Sequence, residues 1–212
     1  MSDLTIPAVD FARLDIPVKL AFITENEING LAFPEMPDSI VVFGLGYGLD
    51  RLAEATWLGA KTLYYWGDID THGFAILDRL RAFFPYAQSF LMDRTTLMAH
   101  RELWGRERDR YERPLSRLTI PEQVLFEELK DGLLGDRVRL EQERISFGWL
   151  KQALGEIANR LNRSAIEARQ APPNDLLVAI VVGIAALLHW IFDYAISQKQ
   201  VGSNRGPATT DS

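Results

Sequence analysis

Four short apolar runs alternate with amphipathic stretches in the first half of the chain, and this alternation constrains the fold more than any other feature. The runs are KLAFIT at 19–24, SIVVFG at 39–44, TLYYWG at 62–67 and SFLMD at 89–93. Uninterrupted apolar runs of this length are typical of buried strands. Apolar residues at helical spacing in 49–58 and 74–84 predict helices between them. The alternation predicts an α/β fold, with a parallel sheet flanked by helices.

Helical signals dominate the chain after the fourth run. The arginine-rich stretch 94–117 has a helical pattern, and Pro121 is placed to begin a helix that runs to about Asp131, before a turn at 132–136. A further helix is predicted from about Phe147 to Glu167. We therefore expect one α/β domain at 15–155, followed by a helix end and linker at 156–175.

The C-terminal part begins with an apolar run that carries no formal charge over 176–192. We predict a separate apolar helix at 176–197, with membrane insertion and burial both left open, because the run is shorter than the roughly 20 residues that span a bilayer. The final segment, 198–212, is expected to be disordered. The N-terminus lacks a basic region followed by an apolar run, which favours a cytoplasmic protein, with a membrane tether through 176–197 left open.

Composition excludes several kinds of site. The chain has no cysteine, so it has no disulfide, no thiolate zinc site and no thiol nucleophile. Its net charge of −6 argues against a broadly basic nucleic-acid binder, so DNA contact would need a local patch. The candidates are Arg94, Arg101 and Arg106 in the arginine-rich stretch. Interspersed acids there equally indicate a solvated helix face.

Three acids follow the predicted strands. Asp68 and Asp70 stand directly after TLYYWG, and Glu25 directly follows KLAFIT. The carboxyl ends of parallel strands meet at one edge of the sheet, so these carboxylates are predicted to converge there. Mg²⁺ or Mn²⁺ would relieve their repulsion, because such ions take hard oxygen ligands together with substrate phosphate oxygens.

Other interpretations of these residues stay open. Asp70 could simply cap the helix that begins near His72. Gly67 and Gly73 favour a substrate site, because they leave room where a phosphate backbone would approach. Supporting roles are possible for three neighbours of the motifs, namely Glu27, His72 and Glu143.

The glycines of GLGYG at 44–48 suggest a second ligand class. They follow a predicted strand and precede a predicted helix, as in dinucleotide-binding proteins. The spacing is G-x-G-x-G, however, with Leu49 in the place of the third glycine. A tight strand-to-helix turn is the favoured interpretation, and NAD is expected not to bind.

Several motifs in order resemble the C-terminal region of JetD proteins, the nuclease subunits of Wadjet plasmid-defence systems. They are FITENEING, VVFGLGYGLDRLAE, WGDIDTHGFAILDRLR, LMAHRELWGRE and RLEQERISFGW, within about residues 15–155. That region is similar to the Toprim domain of type IIB topoisomerase A subunits. The resemblance implies a Toprim-type site in which Glu25, Asp68 and Asp70 hold the metal and perform catalysis.

The resemblance also implies an activity and partners. JetD proteins cut circular DNA that a condensin-like SMC complex has extruded, and a homodimer is left open. Related proteins carry a DNA-gripping region ahead of this domain, which makes a fragment or split gene product the expected state of this chain. The nucleophilic tyrosine of the topoisomerases lies in that upstream region, so hydrolysis by a metal-activated water is expected instead. A catalytically inert metal-binding or partner-binding module is the alternative.

Overall fold

A computed structural model describes residues 4–43 and 49–170 of the chain. The chain divides into two compact units, residues 1–158 and residues 159–212. The fold and the site described below belong to the first unit. The GLGYG segment and the predicted segments 176–197 and 198–212 lie outside the described residues.

The first unit is built on a four-stranded parallel sheet in the order β2-β1-β3-β4. Its strands are β1 (Leu20–Thr24), β2 (Ser39–Val42), β3 (Thr62–Trp66) and β4 (Gln88–Ser89). Helices connect these strands, and the predicted α/β class is confirmed. In the register of β1 on β3, Thr24 pairs with Trp66. The residues that follow these two strands therefore emerge side by side.

The apolar residues of the predicted strands form the core that stabilises the sheet. Every residue of β1 is buried, and the ring of Phe22 stacks on that of Tyr64 with centroids 5.1 Å apart. Phe33 and Phe90 pack against Phe22 from neighbouring elements, at 4.8 and 5.5 Å. This buried aromatic cluster fixes the two central strands.

Seven α-helices lie in the described residues: α1 (Ala8–Ala12), α2 (Glu27–Leu31), α3 (Leu49–Leu52), α4 (Thr71–Phe83), α5 (Arg94–Ala99), α6 (Ile120–Lys130) and α7 (Phe147–Gln170). The predicted helices around Pro121 and after Phe147 are confirmed. Short 3₁₀ turns occur at Thr56–Ala60, Arg101–Leu103 and Gln142–Arg144. Within the described part of the chain, no helix is long and apolar enough to cross a membrane.

Two predicted elements are shorter in the structure than in the sequence pattern. The helix predicted over 49–58 ends at Leu52, and Trp57 then turns to donate a hydrogen bond to the Phe11 carbonyl at 2.9 Å. The strand predicted over 89–93 ends at Ser89. Leu91 has a φ of 56°, which is incompatible with extended backbone.

The helix predicted over 94–117 is also wrong beyond Ala99. After α5 the chain forms a two-residue strand, β5 (Gly105–Arg106), and then an irregular segment. Side chains of α4 satisfy the backbone of that segment: Thr71 accepts from the Tyr111 amide and Asp78 from the Arg117 amide, both at 2.7 Å. These long-range bonds replace the local bonds of a helix.

A small second sheet positions the chain beside the end of β3. Strand β5 pairs antiparallel with β6 (Val138–Arg139). Just beyond, Ile69 and Leu140 exchange backbone hydrogen bonds at 2.9 and 3.1 Å. The segment 138–144 is thereby fixed across the residues that follow β3.

A buried ion pair joins α4 to α6. Arg81 and Glu122 form two hydrogen bonds, at 2.5 and 2.9 Å, and both side chains are more than 90% buried. Burial raises the pKa of Glu122, but hydrogen bonds from Arg81, Ser89 and the Thr119 amide outweigh it and lower the pKa to about 2. Glu122 is therefore ionised, and Arg81 depends on it for charge compensation.

We expect Glu122→Gln to lower the free energy of unfolding by about 3 kcal/mol, because it leaves the Arg81 charge buried without a counter-ion. Urea denaturation at pH 7 measures the change. The matched control is Glu128→Gln on the same helix, whose partner Arg94 is exposed. It should lose less than about 1 kcal/mol. Equal losses for the two variants would contradict the assigned role of the buried pair.

Candidate functional site

The acids predicted to converge follow two neighbouring strands at the carboxyl edge of the sheet, and their convergence on one metal position stays a prediction. Glu25 directly follows β1 and Asp68 lies two residues after β3, and these strands are neighbours. The Asp68 charge is one of the causes that raise the pKa of Glu25, and it also raises the pKa of Asp70. Asp68 thus acts electrostatically on both of the other acids.

Asp70 both caps a helix and faces the acid cluster. Its Oδ1 accepts a hydrogen bond from the Gly73 amide at 2.7 Å, which is the capping role considered from the sequence. Its Oδ2 lies 3.3 Å from Arg139 Nε. Burial is the main cause that raises the pKa of Asp70 to about 7, and the charges of Glu107 and Asp68 add to it. A cap alone would not require so buried a carboxylate.

Asp68 is held by the segment 138–144. Its Oδ2 accepts two hydrogen bonds from the Arg139 guanidinium, at 2.6 and 3.1 Å, and its Oδ1 accepts one from the Gln142 amide at 2.9 Å. The Gln142 side chain donates to Thr24 Oγ1 at 2.6 Å. Gln142 therefore ties the end of β1 to the acid that follows β3.

Glu25 accepts a hydrogen bond from the Tyr65 hydroxyl, which projects from the middle of the neighbouring strand. Although Glu25 is exposed as a whole residue, partial removal of its carboxyl from water raises its pKa, the hydrogen bond from Tyr65 opposes this, and the Asp68 charge raises it further. Burial also raises the pKa of Tyr65 well above 10, so the phenol remains a proton donor. Tyr65 therefore orients Glu25 as well as filling the core.

The two glycines are required by the protein's own packing. A Cβ on Gly67 would lie 2.9 Å from Glu25 Oε1, and a Cβ on Gly73 would collide with the Asp68 carbonyl oxygen. The room for phosphate that the sequence suggested is therefore not the immediate reason for glycine at these positions. Glycine lets the acid-bearing turn close tightly around the carboxylates.

The donor atoms have the chemistry that magnesium prefers. Three carboxylates follow the two central strands, and the buried Gln142 Oε1 has no hydrogen-bond partner within the described part of the chain. In the described residues, however, no three His, Asp or Glu side chains are already arranged around a common metal position. Arg139 contacts both aspartates and Tyr65 contacts Glu25, so these side chains engage oxygens that a metal would use. The residues fit the ion by donor type.

The supporting residues considered from the sequence lie at different distances from this cluster. Glu27 is exposed at the start of α2, and Glu143 is exposed in the 3₁₀ turn after Leu140. His72 is half-exposed, with its ring edge-on to Tyr111. None of the three donates to or accepts from Glu25, Asp68 or Asp70 among the hydrogen bonds of the described chain.

The arginines considered for DNA contact have partners within the protein. Arg94 donates to Glu128 at 2.9 Å, Arg101 lies over the Trp104 ring at 5.5 Å, and Arg106 pairs with Asp136. A role in DNA binding stays a prediction for these residues. It would require each guanidinium to share or leave its present partner.

Four residues of the site were not singled out from the sequence for these roles: Tyr65, Glu107, Arg139 and Gln142. Glu107 is 4% exposed and accepts from Thr71 Oγ1 at 2.7 Å and from the His72 amide at 3.2 Å. It is a second cap of α4, although its neighbours suggested a solvated charge run. Arg139 and Gln142 lie in the motif RLEQERI, where no local pattern distinguishes them from their charged neighbours.

The raised pKa of Asp70 makes the free energy of unfolding depend on pH. The carboxyl loses its proton near pH 3.8 in the unfolded chain and near pH 7 in the folded protein. Between these values the folded state binds more protons, so stability falls as the pH rises. We expect Asp70→Asn to be more stable than the parent by about 2 to 4 kcal/mol at pH 8, with little gain at pH 4.

Urea denaturation in EDTA between pH 4 and pH 8 measures this difference. Asp93 is a suitable control, since it caps α5 through the Thr96 amide at 2.8 Å but is exposed. Asp93→Asn measures what the exchange of an aspartate cap for an asparagine cap does when the carboxyl is exposed. A gain for Asp70→Asn that is the same at both ends of the pH range would refute the assignment.

Comparison with known proteins agrees with the resemblance carried by the motifs. The family described as Wadjet protein JetD, C-terminal, matches residues 1–154. That range contains all of the acids and the segment 138–144. No curated protein matches the sequence. Because the match covers well over half of the 212 residues, the chain belongs to the JetD C-terminal family of Wadjet proteins.

Proposed function

We propose that this chain is a Mg²⁺-dependent or Mn²⁺-dependent DNA-cleaving module with a Toprim-type site. Membership of the JetD C-terminal family implies association with Wadjet plasmid defence. The observation that supports the proposal is that Glu25 follows β1, that Asp68 and Asp70 follow the adjacent parallel strand β3, and that the Asp68 charge acts on both other acids. Such a cluster gains most from a cation when burial has already made its charges unfavourable.

Each residue has a distinct part in this chemistry. Glu25, Asp68 and Asp70 would hold the ion, which supplies charge neutralisation at the phosphate and a more acidic water. Tyr65 orients Glu25 through the hydrogen bond from its hydroxyl. Because Tyr65 is fully buried, it does not attack DNA itself. Gln142 keeps Asp68 in register with the end of β1. We therefore propose hydrolysis by a metal-activated water, without a covalent tyrosyl intermediate.

The partners proposed are DNA and the condensin-like SMC complex of the Wadjet system. The negative net charge makes local contacts more important than a general attraction to DNA. Arg139, which contacts Asp68 and Asp70, is the cationic side chain that lies at the proposed site and could make a local contact with DNA. A homodimer remains a prediction.

A catalytically inert module is the second candidate, and one specific observation favours it. Arg139 already compensates the charges of Asp68 and Asp70, so the cluster can exist as an ion-pair network without a metal. Such a network would stabilise the sheet edge and would present a binding surface. The two candidates differ in whether added Mg²⁺ or Mn²⁺ produces DNA cleavage.

Plasmid nicking tests the proposal. The chain is assayed with supercoiled DNA and Mg²⁺ or Mn²⁺, alone and with the upstream DNA-gripping region of a JetD protein supplied as a separate polypeptide. We expect cleavage that EDTA abolishes, and a loss of at least about 100-fold in Glu25→Gln and in Asp68→Asn, because charge stabilisation of the phosphate is removed.

Glu27→Gln provides the matched comparison. Glu27 follows the same strand and is exposed like Glu25, but of the two only Glu25 accepts a hydrogen bond from Tyr65. It should lose less than about threefold. Absence of metal-dependent cleavage by the parent, even with the upstream region present, would favour the inert module.

A further inference from the structure

Arg139 contacts more acidic groups than a simple salt bridge requires. Its guanidinium lies 2.6 Å from Asp68 Oδ2, 3.3 Å from Asp70 Oδ2 and 3.5 Å from Glu141 Oε1. The Glu25 carboxylate acts on it electrostatically as well. Four carboxylates therefore share this guanidinium, and the cluster retains negative charge.

The backbone at Arg139 is fixed whereas the end of its side chain is accessible. Strand β6 pairs with β5, and the backbone of Leu140 both donates a hydrogen bond to Ile69 and accepts one from it. The Arg139 side chain is 34% exposed. The guanidinium can thus change partners by rotation of side-chain bonds, with no rearrangement of the segment 138–144.

Asp68 does not depend on Arg139 alone for its position. Its Oδ1 accepts from the Gln142 amide at 2.9 Å, and the Gln142 side chain is tied to Thr24. Loss of the guanidinium from Oδ2 would therefore leave the carboxylate in place. A site in which the ligand is held separately from its counter-ion is suited to exchange of one cation for another.

A guanidinium and a divalent cation at the same carboxylate oxygens repel each other. Like charges in close contact at a partly buried site are strongly disfavoured, so the two occupy these oxygens in alternation. A displaced guanidinium then needs another anion. Its planar, two-pronged donor geometry matches a phosphate, and the DNA phosphate would be the nearest one in a cleavage complex.

We propose that Arg139 is the counter-ion of Asp68 and Asp70 in the metal-free protein, and that it contacts the DNA phosphate when a divalent cation takes its place. The inference rests on the proposed function, because its metal step assumes the proposed cation site and its DNA step assumes a substrate at that site. Arg139 thereby sets the affinity of the site for metal and contributes to binding of the substrate.

Calorimetric titration of the full chain with Mn²⁺ in the absence of DNA tests the metal step. We expect Arg139→Gln to bind Mn²⁺ at least about tenfold more tightly than the parent, because the competing charge is gone. The control is Arg144→Gln in the same segment, since Arg144 pairs with Glu141 and not with the aspartates. Its affinity should stay within about twofold of the parent.

A second variant covers loss of folding. Urea denaturation establishes whether Arg139→Gln is folded. If it is not, Arg139→Lys is titrated, which keeps the charge but loses the two-pronged contact. It should bind Mn²⁺ about threefold more tightly than the parent. An affinity equal to or weaker than that of the parent, in the folded variant, overturns the proposal.

Binding of a fluorescent duplex DNA, followed by anisotropy, tests the phosphate step. In Ca²⁺ we expect Arg139→Gln to bind DNA about five- to tenfold more weakly than the parent, and in EDTA less than twofold more weakly. An equal loss in both conditions overturns this step. If the parent never cuts DNA but Arg139→Gln gains Mn²⁺ affinity, cleavage is refuted and the counter-ion role stands. If the parent cuts DNA but Arg139→Gln does not gain Mn²⁺ affinity, the cleavage proposal stands and the counter-ion role of Arg139 is refuted.

Discussion

The parallel pairing of β1 with β3 is the constraint on which the rest of the site depends. The register that places Thr24 beside Trp66 brings Glu25 next to the turn that carries Asp68 and Asp70. A cluster of aromatic rings fixes that register from within the sheet. The free energy that stabilises the apolar core therefore also holds mutually repelling carboxylates together.

The electrostatic consequence is a site that needs positive charge. Burial raises the pKa of Glu25 and brings that of Asp70 to about 7, so ionisation of these acids costs electrostatic free energy. Arg139, which is distant in sequence, offsets part of this cost by pairing with Asp68 and Asp70. For a member of the JetD C-terminal family, we interpret this arrangement as a resting state suited to receive a cation and a phosphate.

The sequence predicted the central strands, and the placing of the acids directly after them, because both depend on strong local patterns. Apolar runs mark the central strands, and parallel pairing places their ends at one edge. The roles of Arg139 and Glu107 could not be predicted in this way. Strands β5 and β6 have two residues each and show no periodicity, and Arg139 is 71 residues from Asp68. The residues after Ala99 have a helical sequence pattern, but their backbone is held by long-range hydrogen bonds to Thr71 and Asp78. Such bonds leave no local signal in the sequence, so the helix prediction there was wrong.

Anomalous diffraction from crystals soaked in MnCl₂ would locate a bound ion at the carboxyl edge of the sheet. We expect a manganese peak bounded by the carboxylates of Glu25, Asp68 and Asp70, with the Arg139 guanidinium moved away from both aspartates. A crystal without a peak at this edge of the sheet, in which Arg139 still contacts Asp68 and Asp70 at saturating manganese, would contradict this expectation.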